Sequence, residues 1–122
     1  MKKTVAICFA FLMCSPAIAQ WTRVGGSDTA QSYIDLQTVQ RSGNLVKVWI
    51  LYDNLRTDSD GTNSTKSQEE FNCQSAESRT TFAINHSGRM ASGKVLFSWK
   101  PEGGWAPIPP GVVIWTILKK VC

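Results

Sequence analysis

The sequence predicts an α+β fold: a single antiparallel β-sheet of about six strands, with a C-terminal α-helix packed on it and tethered by a disulfide. Three observations predict it. Short runs of β-branched and aromatic residues alternate with turn-forming glycine, asparagine and aspartate along most of the chain. An apolar stripe at helical spacing occurs only near the C-terminus. Two cysteines remain once an N-terminal export signal is set aside.

The N-terminal segment is typical of a secretory signal peptide. Residues 1–3 (Met-Lys-Lys) are positively charged, residues 5–13 are apolar, and residues 17–19 (Ala-Ile-Ala) form a small-x-small cleavage motif. A helix that spans a bilayer needs roughly 20 apolar residues. The apolar run is about half that long and no later segment approaches it, so we expect no transmembrane anchor after cleavage.

Cleavage is expected between Ala19 and Gln20, which divides the chain into a signal peptide, residues 1–19, and one domain, residues 20–122. Two alternatives remain open: lipid attachment at Cys14, which a bulky residue before the cysteine disfavours, and an uncleaved anchor. In each case the protein is exported, and we expect it in the periplasm or on the outer surface of a Gram-negative bacterium.

The charge of the mature domain argues against nucleic acid as a partner. Two of the 13 basic residues, Lys2 and Lys3, leave with the signal, so 11 basic residues face 9 acidic ones and the net charge is +2. The basic residues are scattered, whereas nucleic-acid-binding domains usually carry a dense basic stripe.

The cysteines of the mature domain are Cys73 and Cys122, because Cys8 and Cys14 belong to the signal. Exported cysteines meet an oxidising compartment, and two thiols in one chain allow a single pairing. In the chain-entropy model a bridge that closes a loop of about 50 residues stabilises the fold by about 4 kcal/mol. An intermolecular disulfide or a reactive thiol is the alternative.

The strands are predicted from alternation and from turn residues, in chain order. They are residues 21–24, 31–35, 45–53, 65–74, 79–85 and 94–99. The third is the strongest, and its nearly continuous apolar character indicates a central strand covered on both faces. In the fourth, Phe71 and Cys73 are expected to face inward together with Glu69, which is an unusual residue for an inner face.

A helix is predicted for residues 112–122, directly after the sequence Pro109-Pro110-Gly111. Its apolar stripe consists of Ile114, Ile117, Leu118 and Val121. Two lysines in the last turn complement the negative end of the helix dipole. Cys122 follows Leu118 by one turn, which places its sulfur on the apolar stripe.

No residue pattern predicts catalysis. His86, the only histidine, needs a nucleophile or a carboxylate partner to act as a base, and its neighbours indicate a strand end or turn. Asp58 and Asp60 lie in a calcium-like loop that lacks its final acidic ligand. Glu69 and Glu70 point to opposite faces of a strand and cannot form a carboxylate pair. We therefore predict no enzyme, no metal site and no cofactor, and the sequence identifies no ligand-binding residues.

The five tryptophans allow two interpretations, core packing or stacking on carbohydrate. Trp49, Trp99 and Trp115 lie in apolar strands or in the helix, which favours core packing. Trp105, between a glycine pair and a proline segment, is open to either role.

Several segments in a fixed order carry a resemblance to a known family. They are Trp21 with Val24, residues 32–35 (SYID), residues 43–49 (GNLVKVW), residues 67–73 (SQEEFNC), Met90 with Gly93, and residues 105–111 (WAPIPPG) leading into a helix that ends at Cys122. This order resembles the surface-adhesin protein E family of small exported bacterial domains. The chain departs from the family pattern at Asn72, where aspartate is frequent, and at Val112, where a serine commonly opens the helix.

The resemblance implies an antiparallel sheet with a disulfide-tethered C-terminal helix. It also implies a protein partner: adhesion to host extracellular-matrix or serum proteins, with the protein as a homodimer. The alternative function is a periplasmic structural or accessory protein of the envelope that acts through a partner in the same cell.

Overall fold

The computed structural model of the chain describes residues 19–122. The predicted signal peptide therefore lies, apart from Ala19, outside the described residues. The described residues form one antiparallel sheet and one C-terminal helix, as predicted. The elements are β1 (Thr22–Gly26), β2 (Ala30–Ser42), β3 (Leu45–Asn54), β4 (Ser64–Asn72), β5 (Glu77–His86), β6 (Val95–Trp99), β7 (Ala106–Pro107) and α1 (Val113–Val121).

The first six strands lie side by side in the order in which they occur along the chain. Each pairs with the next in antiparallel fashion, so the sheet is a meander of hairpins. The two-residue strand β7 pairs with the start of β5, where Glu77 lies opposite Pro107, and the sequence did not predict it. None of the helices in the described part of the chain is long and apolar enough to cross a membrane.

The predicted second strand, residues 31–35, was too short. β2 continues to Ser42 and pairs with β3 on both sides of a large irregularity. Between the pairs Asp35–Trp49 and Gln40–Lys47, β2 has four residues where β3 has one. Strand pairing then resumes up to the turn at Gly43, which has a φ of +59° that glycine adopts without steric cost.

One face of the sheet carries the hydrophobic core. Inward side chains of β2, β3 and β4 pack there against α1 and the segment that precedes it. The buried apolar residues of this cluster are Ile34, Val46, Val48, Ile50, Phe71, Ile108, Ile117, Leu118 and Val121. The expected stripe of α1 is confirmed at its three buried positions, while Ile114 is half-buried at the margin. Val112 precedes the helix without a side-chain cap, as its sequence indicated.

The Cys73–Cys122 disulfide is confirmed, with a Cα–Cα distance of 5.6 Å. It fastens the last turn of α1 to the turn that follows β4, rather than to β4 itself, because that strand ends at Asn72. The Cys73 N–H donates to the Asn44 carbonyl at 2.8 Å, which ties this turn to the β2–β3 turn. The Cys122 N–H donates to the Leu118 carbonyl at 2.9 Å, so both ends of the bridge are held by backbone hydrogen bonds.

Candidate interaction surface

Strand β6 is the last strand of the sheet. It pairs with β5 along one side, and no strand among residues 19–122 pairs with its other side. The outward N–H and C=O groups of an edge strand are a template for another strand. Folded proteins usually protect such edges with charged side chains, prolines or a covering segment.

The side chains of β6 are apolar and exposed. Val95 is 58% exposed, Leu96 44% and Phe97 60%. Trp99 is half-buried, and its ring stacks on that of Phe97 with 5.3 Å between centroids and 26° between planes. The edge strand therefore presents a row of large apolar side chains with a stacked aromatic pair at its end.

A bulge concentrates these side chains. Asn85 of β5 lies opposite Phe97, but the next residue, His86, lies opposite Val95, so Leu96 is an extra residue in β6. A bulge re-aims the side chains around it. At this bulge Val95, Leu96 and Phe97 are all exposed, so both faces of the edge strand present apolar side chains.

The connection from β5 to β6 is fixed by buried polar groups of β3 and β4. The Asp53 carboxylate, 4% exposed, accepts hydrogen bonds from Arg89 Nη2 at 3.0 Å and from the Met90 N–H at 2.8 Å. The Ser64 hydroxyl accepts the Ala91 N–H at 2.9 Å and donates to the Gly88 carbonyl at 2.6 Å. These bonds hold the start of β6 in one position.

The same connection has an uncommon backbone. Met90 and Ala91 have φ values of +54° and +59°, a left-handed conformation that costs a non-glycine residue about 1–3 kcal/mol. Gly93 has a φ of +75°, and a Cβ there would lie 2.5 Å from the Ser87 hydroxyl. The hydrogen bonds from residues 88–91 to Asp53 and Ser64 offset this cost and hold the connection in a single conformation.

The structure places His86 in a packing role. It is 7% exposed, and neither ring nitrogen has a hydrogen-bond partner among the described residues. Burial lowers the pKa of the imidazole, and the nearby Lys66 ammonium lowers it further. Ser64 lies opposite His86 in the sheet, but its hydroxyl is bonded to the connection. The pair does not form the hydrogen bond that nucleophilic catalysis requires.

The loop between β3 and β4, which contains Asp58 and Asp60, is stabilised by local hydrogen bonds. The Asp60 carboxylate accepts the Thr62 N–H at 2.9 Å, and this bond lowers the pKa of Asp60. The Asp58 carboxylate accepts an Asn54 amide proton at 3.1 Å. Residues 19–122 contain no cluster of three or more potential metal ligands.

The tryptophans divide between roles. Trp115 packs against the core, as expected. The core prediction for Trp99 was wrong, because this residue stacks at the exposed edge. The core prediction for Trp49 was also wrong, because Trp49 lies half-buried on the sheet face opposite α1, outside the core cluster. Trp105 lies beneath the Arg79 guanidinium, 4.6 Å from its ring centroid. In the sequence, the only sign of the exposed edge strand β6 is its three consecutive apolar residues, 95–97, which do not alternate with polar ones.

Comparisons with known proteins agree with this architecture. The model of a family described as surface-adhesin protein E matches residues 21–122. No curated protein matches the chain in sequence.

Solved structures of Haemophilus influenzae protein E have the same fold. The selenomethionine form has a TM-score of 0.65 at 11% sequence identity, with 84% of each chain covered. A second structure has a TM-score of 0.61 at 12% identity and covers 84% of this chain and 83% of that chain. Protein E from a non-typeable strain has a TM-score of 0.57 at 10% identity, over 86% and 76% of the two chains.

Proposed function

Because the chain belongs to the surface-adhesin protein E family, we propose that it is an exported, non-enzymatic adhesin that binds a host extracellular-matrix or serum protein through β6. Its family assigns it to the adhesin-like, exported surface proteins of bacteria. The observation that carries the proposal is the outer side of β6, which no strand of the described residues pairs with and where three consecutive apolar residues are exposed.

The mode of binding is strand addition. An extended segment of the partner pairs with β6 and continues the sheet, so that main-chain hydrogen bonds give affinity and side chains give specificity. The stacked rings of Phe97 and Trp99 are the anchor, since aromatic residues dominate the energy of most interfaces. The rigid connection before β6 lowers the entropy lost on binding.

The side chains of β6 and its flanking residues indicate which partner segment can pair with this strand. The apolar run is flanked by Lys94 and Lys100, both exposed. A matching segment is apolar at its centre and carries a carboxylate near either end, because charge complementarity fixes register and rejects wrong partners. We therefore expect the host site to be an exposed, extended segment with this pattern.

Export is part of the proposal. The signal peptide, residues 1–19, directs export across the inner membrane and is cleaved between Ala19 and Gln20. The domain, residues 20–122, then lies in an oxidising compartment where the Cys73–Cys122 bridge can form. Display on the outer surface gives β6 access to host proteins. Protease treatment of intact cells, followed by detection of the protein, distinguishes surface display from a periplasmic location.

The test compares two variants that each place a carboxylate at an exposed apolar position. Phe97→Asp alters β6, and Val112→Asp alters an exposed apolar residue just before α1, 43% accessible. Binding to immobilised laminin and vitronectin is measured by surface plasmon resonance. We expect Phe97→Asp to weaken binding about tenfold or more, and Val112→Asp to bind as the wild type does.

Other outcomes contradict the proposal. Equal binding by both variants, or no binding of the surface-displayed protein to either host protein, excludes a host partner at β6. If sedimentation shows a wild-type dimer that Phe97→Asp dissociates, the occupant of β6 is a second copy of the chain. Cross-linking in intact cells that captures only an envelope protein favours the accessory function instead.

A further inference from the structure

A second candidate site lies on the sheet face opposite α1, away from β6. It is a cavity of about 360 Å³, at the lower end of the ~300–1,000 Å³ typical of small-molecule sites. The lining residues are Ala19, Trp21, Asp35, Gln37, Thr38, Trp49 and Lys66. Two tryptophans, a carboxylate and an ammonium group therefore converge on one small cavity.

The irregularity of β2 builds this cavity. Residues 36–39 leave the strand ladder, yet hydrogen bonds hold them in place. The Asp35 carboxylate accepts the Gln37 N–H at 3.0 Å. The Thr38 hydroxyl donates to the Asp35 carbonyl at 2.7 Å and accepts the Trp49 N–H at 3.1 Å, which replaces the lost ladder bond. β-Bulges, which are smaller irregularities of the same type, are over-represented next to active sites.

The two aromatic walls have different surroundings. Trp49 is engaged already: Phe82 meets it edge-on with 6.2 Å between centroids, and Lys66 Nζ lies 5.1 Å from its ring centroid. Trp21 precedes β1 and is half-buried, with no aromatic or cationic partner in the part of the chain described. Its ring is the surface in this cavity on which a flat ligand face can stack.

Charge restricts the occupant. Asp35 is 4% exposed, and one carboxylate oxygen has no hydrogen-bond partner among residues 19–122. A cationic ligand meets the Lys66 ammonium and an anionic ligand meets the Asp35 carboxylate. A purely apolar ligand would displace water from the Asp35 carboxylate and the Lys66 ammonium without forming hydrogen bonds to them, and this desolvation costs free energy. A neutral ring with hydroxyl groups satisfies both, because a hydroxyl donates to Asp35 and accepts from Lys66.

We propose that this cavity binds a neutral pyranose residue of a glycan. The apolar face of the sugar stacks on Trp21, and its hydroxyl groups bond to Asp35, Lys66 and Gln37. Ala19 also lines the cavity, and the proposed cleavage removes it. The glycan is either one carried by a host glycoprotein or one from the bacterial envelope, since both present pyranoses.

The test uses the exported protein with its disulfide intact. The protein is applied to two sets of immobilised glycans. One set contains mammalian glycoprotein glycans, and the other contains bacterial envelope polysaccharides and peptidoglycan fragments. The glycan that binds best is then titrated by calorimetry. Binding in the first set assigns a host source, and binding in the second assigns a source in the envelope.

Two variants probe the cavity and one serves as a matched control. We expect Trp21→Ala and Asp35→Asn to weaken binding about tenfold, because each removes one stacking or charge-assisted contact. The side-chain amide of Asp35→Asn keeps an oxygen for the Gln37 N–H, so the bulge is retained. Trp99→Ala removes a tryptophan at β6 and should leave glycan affinity unchanged. Unchanged thermal unfolding confirms that each variant is folded.

The proposal is overturned if neither glycan set binds, or if Trp21→Ala and Asp35→Asn bind as well as wild type. Loss of binding in Trp99→Ala alone also overturns it. These readouts are independent of the protein partner at β6, because Phe97→Asp should weaken protein binding and leave glycan binding intact.

Discussion

Two neighbouring glutamates of β4 are buried for different reasons. Glu69 and Glu70 are 7% and 5% exposed. The Glu70 carboxylate accepts a hydrogen bond from Arg79 Nε at 2.8 Å and lies 3.8 Å from Lys47 Nζ. Glu69 accepts a hydrogen bond from the Thr80 hydroxyl, and burial raises the pKa of its carboxyl. Glu70 is therefore paired with two cationic side chains, whereas Glu69 is buried without a cationic partner among the described residues.

The same substitution at the two positions should have opposite effects. A carboxyl whose pKa is raised by folding stabilises the folded state most at a pH below its unfolded-state pKa of 4.5. This stabilisation is lost as the pH rises through the folded-state pKa. Glu69→Gln stays neutral, so we expect it to be more stable than wild type at pH 7, with the gain disappearing near pH 4. Glu70→Gln loses the charge that pairs with Arg79 and should lose about 1–2 kcal/mol at pH 7.

Urea unfolding of both variants at pH 4 and pH 7 measures these effects. The two glutamates are adjacent and similarly buried, so each variant is the control for the other. If Glu69→Gln is less stable than wild type at pH 7, its carboxylate has a cationic partner in solution that the described contacts lack. Strand alternation predicted correctly that the two side chains occupy opposite faces. It did not predict that Glu70 is buried, because that depends on Arg79 in the next strand.

At the scale of elements, the connection between β5 and β6 depends on Asp53. This carboxylate holds both the Arg89 side chain and the Met90 N–H. Asp53→Ala leaves the left-handed residues of the connection without these bonds. We expect a loss of about 2–3 kcal/mol in the free energy of unfolding, because a buried hydrogen-bonding network is broken. We also expect faster amide hydrogen exchange along β6 than in wild type.

Hydrogen exchange followed by mass spectrometry measures this local effect. Asp28→Ala is the matched control, since Asp28 is exposed in the β1–β2 turn and its side chain makes no hydrogen bond in the described structure. Uniformly faster exchange over the whole sheet would mean that Asp53 stabilises the fold generally rather than the connection. Protection of β6 equal to that of wild type would show that the bulge and the β5 pairing hold the edge without Asp53.

The elements show which parts of this protein are encoded locally. Alternation and turn residues predicted β3, β4 and β6 closely, since those signals lie within each strand. The irregularity of β2 was missed because its polar residues resemble a loop, and its return to the ladder depends on pairing with β3. The position of Trp99 outside the core was missed for a related reason: its strand lies at the edge of the sheet, and local alternation does not determine strand order.

At the scale of the molecule, the helix and the two candidate sites occupy separate regions. α1 covers the core face and contacts β1 and β2. The edge that no strand of residues 19–122 pairs with is at β6, and the cavity lined by Trp21 and Lys66 lies on the sheet face opposite α1. The disulfide fastens the helix far from the edge strand. Stability and binding should therefore respond to different substitutions.

The disulfide provides the clearest test of this separation. Replacing both Cys73 and Cys122 with serine opens a loop whose ends are 49 residues apart in sequence. The chain-entropy model gives a loss of about 4 kcal/mol in the free energy of unfolding. We expect the C-terminal turn of α1 to fray, because Cys122 is exposed and the bridge is its covalent tether. Binding at β6 should be unchanged under native conditions.

Urea unfolding and surface plasmon resonance on the same samples measure the two effects. Wild type reduced with dithiothreitol is the matched control, since it breaks the same bond without changing any residue, and both samples should unfold at the same lower urea concentration. If the serine variant is as stable as the oxidised wild type, the bridge adds nothing to the packing of α1. If the variant is less stable and also loses partner binding while folded, the helix and β6 are coupled through the sheet. A loss confined to stability locates the helix and its tether in the scaffold and leaves the edge strand as the independent binding element.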